Sequence, residues 1–495
     1  VALLGTNDLL AVLGLEDDLQ LPGFVDGDRV LSRGQLREAV RALARAVGER
    51  VPPGSRVGLV DTPDVATSLI SILAALTAGR PIALLPVGGL DDPQLRGLAQ
   101  DADAPVVLHG GAVHPSGIPW QGAWAARQTP VEPVARAEDE ALILYTSGTT
   151  QKPRGVRISR RNVATNLSAM MRLAAAWGPA DRVGQVLPLT HSFGLSMALL
   201  AIARRAPIVT LGNGPPAPGL GHALDEHEIS VFACVPYYLR LMSRQGLSLG
   251  ASCGHRLQAL YLAGGGISDA DLATTIPDYR GTTFLMYGFT EATARVAVRR
   301  VGDGAPADSV GLPLPGTHLD VVGADGRVLP AGEEGFIRVS SPSLMLGYLG
   351  ERDREPGVPI VTTDLGRTDE CGNVYVTGRA VEMLNFHGHR VSIPAVEYAV
   401  SHIPGVLEAR LVPDSRQEDA QCVLLVVPRS GVDQDGLRAE IAGRVRPRHL
   451  VRGIAFVEHL EKTRSGKPVR RVPSDDGPRE VVTGDRARRM VGART

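Results

Sequence analysis

The sequence predicts an α/β protein. A large N-terminal domain of α/β sheets carries a β-rich subdomain, and a small α+β C-terminal domain follows. Three observations predict this. Up to residue 291, short apolar runs alternate with segments of helical spacing, as in a doubly wound sheet. Several of those runs open into loops of Gly, Ser and Thr, where ligands collect in open α/β sheets. From about residue 296 the texture changes to short β-like runs separated by Gly and Pro. A length of 495 residues calls for more than one structural unit, and 44% hydrophobic content can fill large cores.

In order, the chain opens with a polar stretch and then an amphipathic segment, 33–47, with Leu36, Val40, Leu43 and Val47 on one stripe. Strands are expected at 57–60, 81–86 and 105–108, and helices at 65–78 and 95–102. Residues 110–138 are rich in Gly, Pro and Ala and read as connecting surface. The apolar run 141–144 reads as a buried strand, and the segment 159–177 has helical spacing. Then come strands at 183–187 and 208–211 around a helix at 195–203. A strand at 231–235 leads into a helix at 237–244. The strand at 257–262 opens into Ala263-Gly264-Gly265-Gly266, and that at 284–286 into Tyr287-Gly288-Phe289-Thr290-Glu291. The β-rich part has runs at 319–322, 335–339 and 373–376. The C-terminal unit has a β-like stretch at 423–427, a helix at 437–445 and a strand at 454–457. The expected division is 1–380, 381–473 and a charged, mobile tail at 474–495.

Composition excludes several function classes. The 52 basic and 53 acidic residues balance, which argues against nucleic acid and acidic membrane surfaces as partners. No apolar run is long enough for a membrane span. Residues 1–15 lack a basic n-region and a small-residue cleavage site, so a cytoplasmic location is expected. Cys234, Cys253, Cys371 and Cys422 are scattered, which fits reduced thiols rather than a metal site.

The stretch from Tyr145 to Gly155 is the most informative. Thr146, Ser147, Gly148, Thr149, Thr150 and Lys152 combine small residues, hydroxyls and one ammonium, the composition of a phosphate cradle and also of a polar turn. Lysine is otherwise nearly absent: Lys152, Lys462 and Lys467 are the three lysines among 52 basic residues. All lie in short loops, where a compact, mobile ammonium differs from a guanidinium in what it can reach.

Over nearly its whole length the sequence resembles the adenylate-forming superfamily: acyl- and aryl-CoA synthetases, stand-alone adenylation enzymes and luciferases. Five stretches match in family order. They are Tyr145 to Val156 (the phosphate loop), Tyr287-Gly288-Phe289-Thr290-Glu291, Thr362-Thr363-Asp364, Gly378-Arg379 through Gly388-His389-Arg390-Val391 (the hinge and its glycine turn), and Thr463-Arg464-Ser465-Gly466-Lys467. The resemblance implies a two-step reaction. A carboxylate attacks the α-phosphorus of ATP to give acyl-AMP and pyrophosphate, and a thiol then takes the acyl group and releases AMP. It implies that Thr146, Ser147, Gly148, Thr149, Thr150 and Lys152 hold the β- and γ-phosphates, Glu291 helps hold Mg²⁺, and Thr290 bonds an α-phosphate oxygen. Asp364 would accept the ribose hydroxyls beside Arg379. Gly264, Gly265, Gly266, Tyr287 and Gly288 would flank adenine and the acid. Lys467 would bridge the carboxylate and the α-phosphate. A mobile C-terminal domain would then rotate, with Gly388 lining the thiol tunnel and Arg390 touching phosphate or pantetheine. His387 and His389 also fit plain turn residues.

The chain departs from the family at Gln151 and Thr363, each in place of a usual Gly, and at Val381, in place of a polar hinge residue. Pro188-Leu-Thr-His191-Ser-Phe-Gly-Leu195 lacks the Asp that would pair an α-ammonium, so the acid is expected not to be an α-amino acid. His191 stands at the pocket, as a gate or as a structural histidine. Phe193, Leu195, Met197, Tyr238, Met286 and Phe289 are candidates for its apolar lining. The expected acceptor is CoA, with the phosphopantetheine of an acyl carrier protein as the alternative. A non-catalytic nucleotide-binding relative is the rival of a different class. A glycine at 151 would permit positive φ that Gln reaches only at a cost. Gln151→Gly is therefore expected to tighten ATP binding or leave it unchanged in calorimetry, and a large loss would reveal a specific role for Gln151.

Overall fold

The computed structural model describes residues 9–13, 22–26, 29–60, 64–85, 92–104, 106–108, 124–125, 140–146, 153–173, 177–212, 219–246, 249, 256–386, 389–413, 422–445, 450–460, 471–472 and 479–480. The expected connecting surface at 110–138, apart from Trp124–Ala125, and the expected tail, apart from Arg479–Glu480, lie outside these residues.

Two large sheets and the helices between them share one core, which joins Val57, Ile82 and Leu142 of one sheet to Val183, Val231 and Leu260 of the other. The helix Ser192–Ala203 is apolar on nearly every face, and its residues from Gly194 to Ile202 are buried, as a helix between layers must be. The helix Arg33–Arg50 is fixed at its start by a capping box, in which Ser32 and Gln35 satisfy each other's backbone N–H groups.

The nine-stranded sheet runs Leu312–Pro313, Ala297–Arg300, Thr282–Tyr287, Ala259–Leu262, Val231–Cys234, Val183–Gln185, Ile208–Thr210, Pro22–Asp26, Arg29–Ser32. From Thr282–Tyr287 to Pro22–Asp26 the pairs are parallel. The order reverses at Val183–Gln185, which lies between Val231–Cys234 and Ile208–Thr210. Ligand crevices form at such a switch point, outside the carboxyl ends of the strands. Those ends open into the turn after Pro188, into Val235-Pro236, into Ala263-Gly264 and into Gly288. The first hairpin, Pro22–Asp26 with Arg29–Ser32, extends this sheet within what reads as a polar opening in the sequence. Its strands are short and carry Pro, Gly and Asp, so no alternation marks them.

The seven-stranded sheet corrects one expectation. The hydroxyl-rich loop is not followed directly by a helix. Glu140–Thr146 pairs antiparallel with Arg154–Ser159, down to Thr146 opposite Arg154, and the helix begins only at Arg160. The residues on either side of the loop are thus paired strands, and no helix begins directly after it to supply a dipole. The β-rich subdomain is an antiparallel sheet of His318–Val322, Gly335–Ser340, Ile360–Thr368 and Val374–Arg379. The C-terminal domain has its own core, built on Val406–Pro413, Cys422–Pro428, Val451–Phe456 and two helices. It touches the large domain where His402 Nε2 lies 3.0 Å from Asp271 Oδ1.

Glu140 anchors the hairpin base. It is 4% exposed and accepts bonds from Arg56 at 2.6 and 3.0 Å and from Arg157 at 2.6 Å. Burial alone would raise its pKa, but the two guanidiniums outweigh burial and hold it below the ordinary carboxylate range. A carboxyl depressed in this way contributes stability above its unfolded pKa, and that contribution is lost as pH falls through the folded value. Glu140→Gln leaves buried Arg56 without an anion and Arg157 with Asp353 alone, and is expected to cost about 3 kcal/mol. Urea midpoints at neutral pH should show the loss, and they should show the variant losing less than the native chain on acidification to about pH 4.

Candidate active site

The register of two neighbouring strands places Asp364 opposite Arg379. Asp364 is 5% exposed; its Oδ1 accepts from Arg379 Nε at 2.7 Å and its Oδ2 from the Tyr287 hydroxyl at 2.7 Å. Its backbone N–H donates to Thr362 Oγ1 at 3.1 Å, and that hydroxyl donates to Ile337 O at 3.0 Å. Burial and the adjoining carboxylate push the Tyr287 hydroxyl well above its ordinary pKa. The charge of Asp364 raises that of Arg379. Each carboxylate oxygen keeps further acceptor capacity beyond these bonds. Thr363 is exposed and does not have positive φ, so Thr in place of Gly brings no backbone strain there.

The turn after Tyr287 doubles back on itself. A Cβ on Gly288 would sit 1.8 Å from Ala294 O and 2.7 Å from Arg295 Cα, so only glycine allows the two backbones to meet. Thr290–Ala292 forms one 3-10 turn, and Thr293 follows at φ +70, an uncommon conformation for a β-branched residue. Two bonds hold it there: its N–H to Thr290 O at 2.9 Å and its Oγ1 to Ser343 O at 2.7 Å.

Thr290 and Glu291 are partly exposed at the edge of this turn. Glu291 Oε1 accepts from the Tyr348 hydroxyl at 2.7 Å, and its backbone carbonyl accepts from Met345 N at 2.8 Å. Tyr348 pairs with Val156, so it belongs to the sheet that carries the hydroxyl-rich hairpin. Arg154 lies over its ring at 3.4 Å. Burial and the charge of Glu291 raise the Tyr348 hydroxyl pKa. Sequence reasoning missed Tyr348, because its partner is 57 positions away and no spacing records the contact. Among the described residues no three metal-ligating side chains cluster. A Mg²⁺ held by Glu291 would take its other ligands from phosphate and water oxygens, which suits an ion that keeps much of its hydration.

Gly264, Gly265 and Gly266 are exposed, with Gly264 at φ +77 against Val235. His191 is half-buried and precedes the helix Ser192–Ala203 without capping it through its side chain. The turn before it is tight: a Cβ on Gly194 would meet Pro188 O at 2.4 Å. Of the expected lining, Phe193 and Phe289 are half-buried, whereas Leu195, Met197, Tyr238 and Met286 are buried in the main core. Ser147, Gly148, Thr149, Thr150, Gln151, Lys152, Gly388 and Lys467 lie outside the described residues, as does the side chain of Arg390. Thr146, Thr290, Glu291, Tyr287, Asp364 and Arg379 are described, and the last three form one bonded group.

Residues 16–349 match the family described as AMP-binding enzyme, and residues 395–467 match the AMP-binding enzyme C-terminal domain. The chain is an AMP-binding enzyme. It is 27% identical over 464 residues to a feruloyl-CoA synthase of Amycolatopsis, covering 89% of this chain and 93% of that one. It is 26% identical over 505 residues to a 4-coumarate–CoA ligase-like protein of Oryza sativa, covering 93% and 90%. The fold is that of O-succinylbenzoate coenzyme A synthetase from Bacillus subtilis, in complex with ATP and magnesium (TM-score 0.76, 20% identity, 93% of this chain and 98% of that one). MatB from Rhodopseudomonas palustris, ATP-bound, is similar at TM-score 0.77 and 20% identity, over 93% of this chain and 97% of that one. Both share with this AMP-binding enzyme a large N-terminal and a small C-terminal domain. Among the described residues no helix is long and apolar enough to cross a membrane.

Gly288→Ala is expected to displace the 290–295 turn. Its measurable signs are a lower melting temperature and faster amide exchange confined to that turn and to Ser343, and an unchanged exchange pattern would refute the close approach.

Proposed function

We propose that this AMP-binding enzyme activates a carboxylic acid other than an α-amino acid with ATP, and passes the acyl group from acyl-AMP to the thiol of CoA. The observation that supports it most is the clamp of Tyr287, Asp364 and Arg379, a buried acceptor pair shaped for a diol such as ribose. The names of the relatives, which include CoA ligases and synthases, point the same way.

In this reading Asp364 orients the ribose, and the Tyr287 and Arg379 bonds keep its carboxylate in one rotamer. Thr290 donates to an α-phosphate oxygen. Glu291, oriented by Tyr348, helps hold Mg²⁺, which when bound would screen the phosphate charge. The hairpin tip from Thr146 to Lys152 holds the outer phosphates through its own N–H groups, hydroxyls and ammonium, since no helix end follows it directly. Lys467 offsets charge between the entering carboxylate and the α-phosphate. The hinge lies at the 3-10 turn Ala380–Glu382, directly after Arg379, with residues 1–380 and 381–473 as the two moving bodies. Rotation there would carry Lys467 out and bring Gly388 and Arg390 to the thiol path. A phosphopantetheine-bearing carrier protein is the alternative acceptor.

Pyrophosphate release with Mg-ATP, across aliphatic, aryl and amino acids with and without CoA, tests this directly. Release with a subset of acids, sustained turnover with CoA and an acyl-CoA product are expected. Release that stalls near one turnover would identify a carrier protein as acceptor, and no release with any acid would overturn the reading. Lys467→Ala should slow adenylation by at least ~100-fold. It should spare thioester formation from supplied acyl-AMP, and equal loss of both half-reactions would remove the assigned role.

A further inference from the structure

Arg295 is 1% exposed, and none of its three guanidinium nitrogens has a hydrogen-bond partner among the described residues. Buried guanidiniums are ordinarily paired, because a desolvated cation without an anion is costly. Other buried guanidiniums have partners: Arg56 and Arg157 share Glu140, Arg299 is paired with Asp269, and Arg33 donates to the carbonyls of Ile202 and Leu13. Arg295 has instead the ring of Phe193, 5.7 Å away, a weak substitute for a carboxylate. Burial pulls its pKa down to about 10, so it still carries its charge at neutral pH.

Its position is fixed by the turn already described. Gly288 lets the backbone of Ala294 and Arg295 close against the Tyr287–Glu291 motif, and Asn166 Nδ2 bonds Arg295 O at 2.8 Å. Asn166 is itself 2% exposed, and its Oδ1 has no hydrogen-bond partner among the described residues. It borders a cavity of about 10 Å³, room for about one water, with Ser192, Ser196 and Thr293 as its other polar lining. The motif's outer residues, Thr290 and Glu291, are partly exposed, while Arg295 is buried with the Phe193 ring near its guanidinium, two positions after His191. Thr290 and Arg295 stand at the two ends of one tight turn, so an acid held at Thr290 would have an unpaired buried cation on the same turn.

We propose that Arg295 is a specificity-determining residue, the counter-ion of a second anionic group at the far end of the substrate, so that the acid activated is dicarboxylic or otherwise anionic at both ends. This rests on the reading of the protein as an acid-activating enzyme, and it narrows the acid to one class. A neutral acid would leave the guanidinium bare, whereas a distal carboxylate would accept its fork of N–H groups in a bidentate pair.

The test pairs acids of equal length, adipate against hexanoate and 1,4-benzenedicarboxylate against 4-methylbenzoate, in pyrophosphate release by the native chain, Arg295→Met and Arg295→Lys. Melting temperatures with each acid, without ATP, are measured alongside. The native chain is expected to favour one of the dicarboxylates by at least ~100-fold in kcat/KM. Arg295→Met should reverse that preference, and Arg295→Lys should retain part of it. Preference for the monocarboxylates in the native chain, with Arg295→Met leaving the ratio unchanged, would overturn the inference while the acid-activating reading stands. No pyrophosphate from any acid, but a melting-temperature rise with a dicarboxylate that Arg295→Met abolishes, would keep the counter-ion and overturn the enzyme reading. Neither release nor a shift would overturn both. Replacing an unpaired buried cation with Met is expected to leave the fold intact. Should that variant not fold, the native selectivity and Arg295→Lys decide.

Discussion

One carboxylate joins three parts of this protein. Asp364 stands on the antiparallel sheet of the subdomain, receives Tyr287 from the end of a strand in the parallel sheet, and receives Arg379 from the strand that leads to the C-terminal domain. An apolar cluster of Tyr287, Ala292 and Val296 with Leu319, Ile337 and Val374 already joins the subdomain to the turn after Tyr287. A buried charge tolerates far less slack, because an ionised group that loses its donors meets the full cost of desolvation. The clamp adds to that packing a charged tie among the subdomain, the strand end at Tyr287 and the strand that ends at Arg379.

The hydroxyl-rich hairpin is tied in by a second route. Its return strand pairs with Gly347–Tyr348, and Tyr348 reaches across to Glu291. The motif after Tyr287 is thus gripped from both large sheets, and Gly288 makes the grip possible by letting the chain fold onto itself. Preorganisation of this kind lets a phosphate site act without rearranging its own donors when charge develops.

The parallel strands were legible because both their faces are buried, so they read as unbroken runs such as Val231–Cys234 and Ala259–Leu262. Arg154–Ser159 was not legible, because two of its six residues are arginines, and Arg157 is buried through its pairing with Glu140 and Asp353. The first hairpin was hidden by its shortness and its turn-forming residues. Motifs contiguous in sequence, such as Tyr287 to Glu291, announced themselves. Tyr348 and Arg295 did not, since what distinguishes each is a relation through space: a bond made in one case and a bond missing in the other. Of the six apolar candidates for a pocket lining, Leu195, Met197, Tyr238 and Met286 belong to the main core, and Leu195 also lines the small cavity; hydrophobicity alone does not carry such distinctions.

The contact between His402 and Asp271 bears on how the small domain is kept in place. Asp271 is nearly buried and also faces Arg240, whereas His402 is half exposed. A bond with one partner in water is worth about 0–1 kcal/mol. It is a clasp rather than a lock: half of it faces water, and Asp271 has a guanidinium beside it in any case.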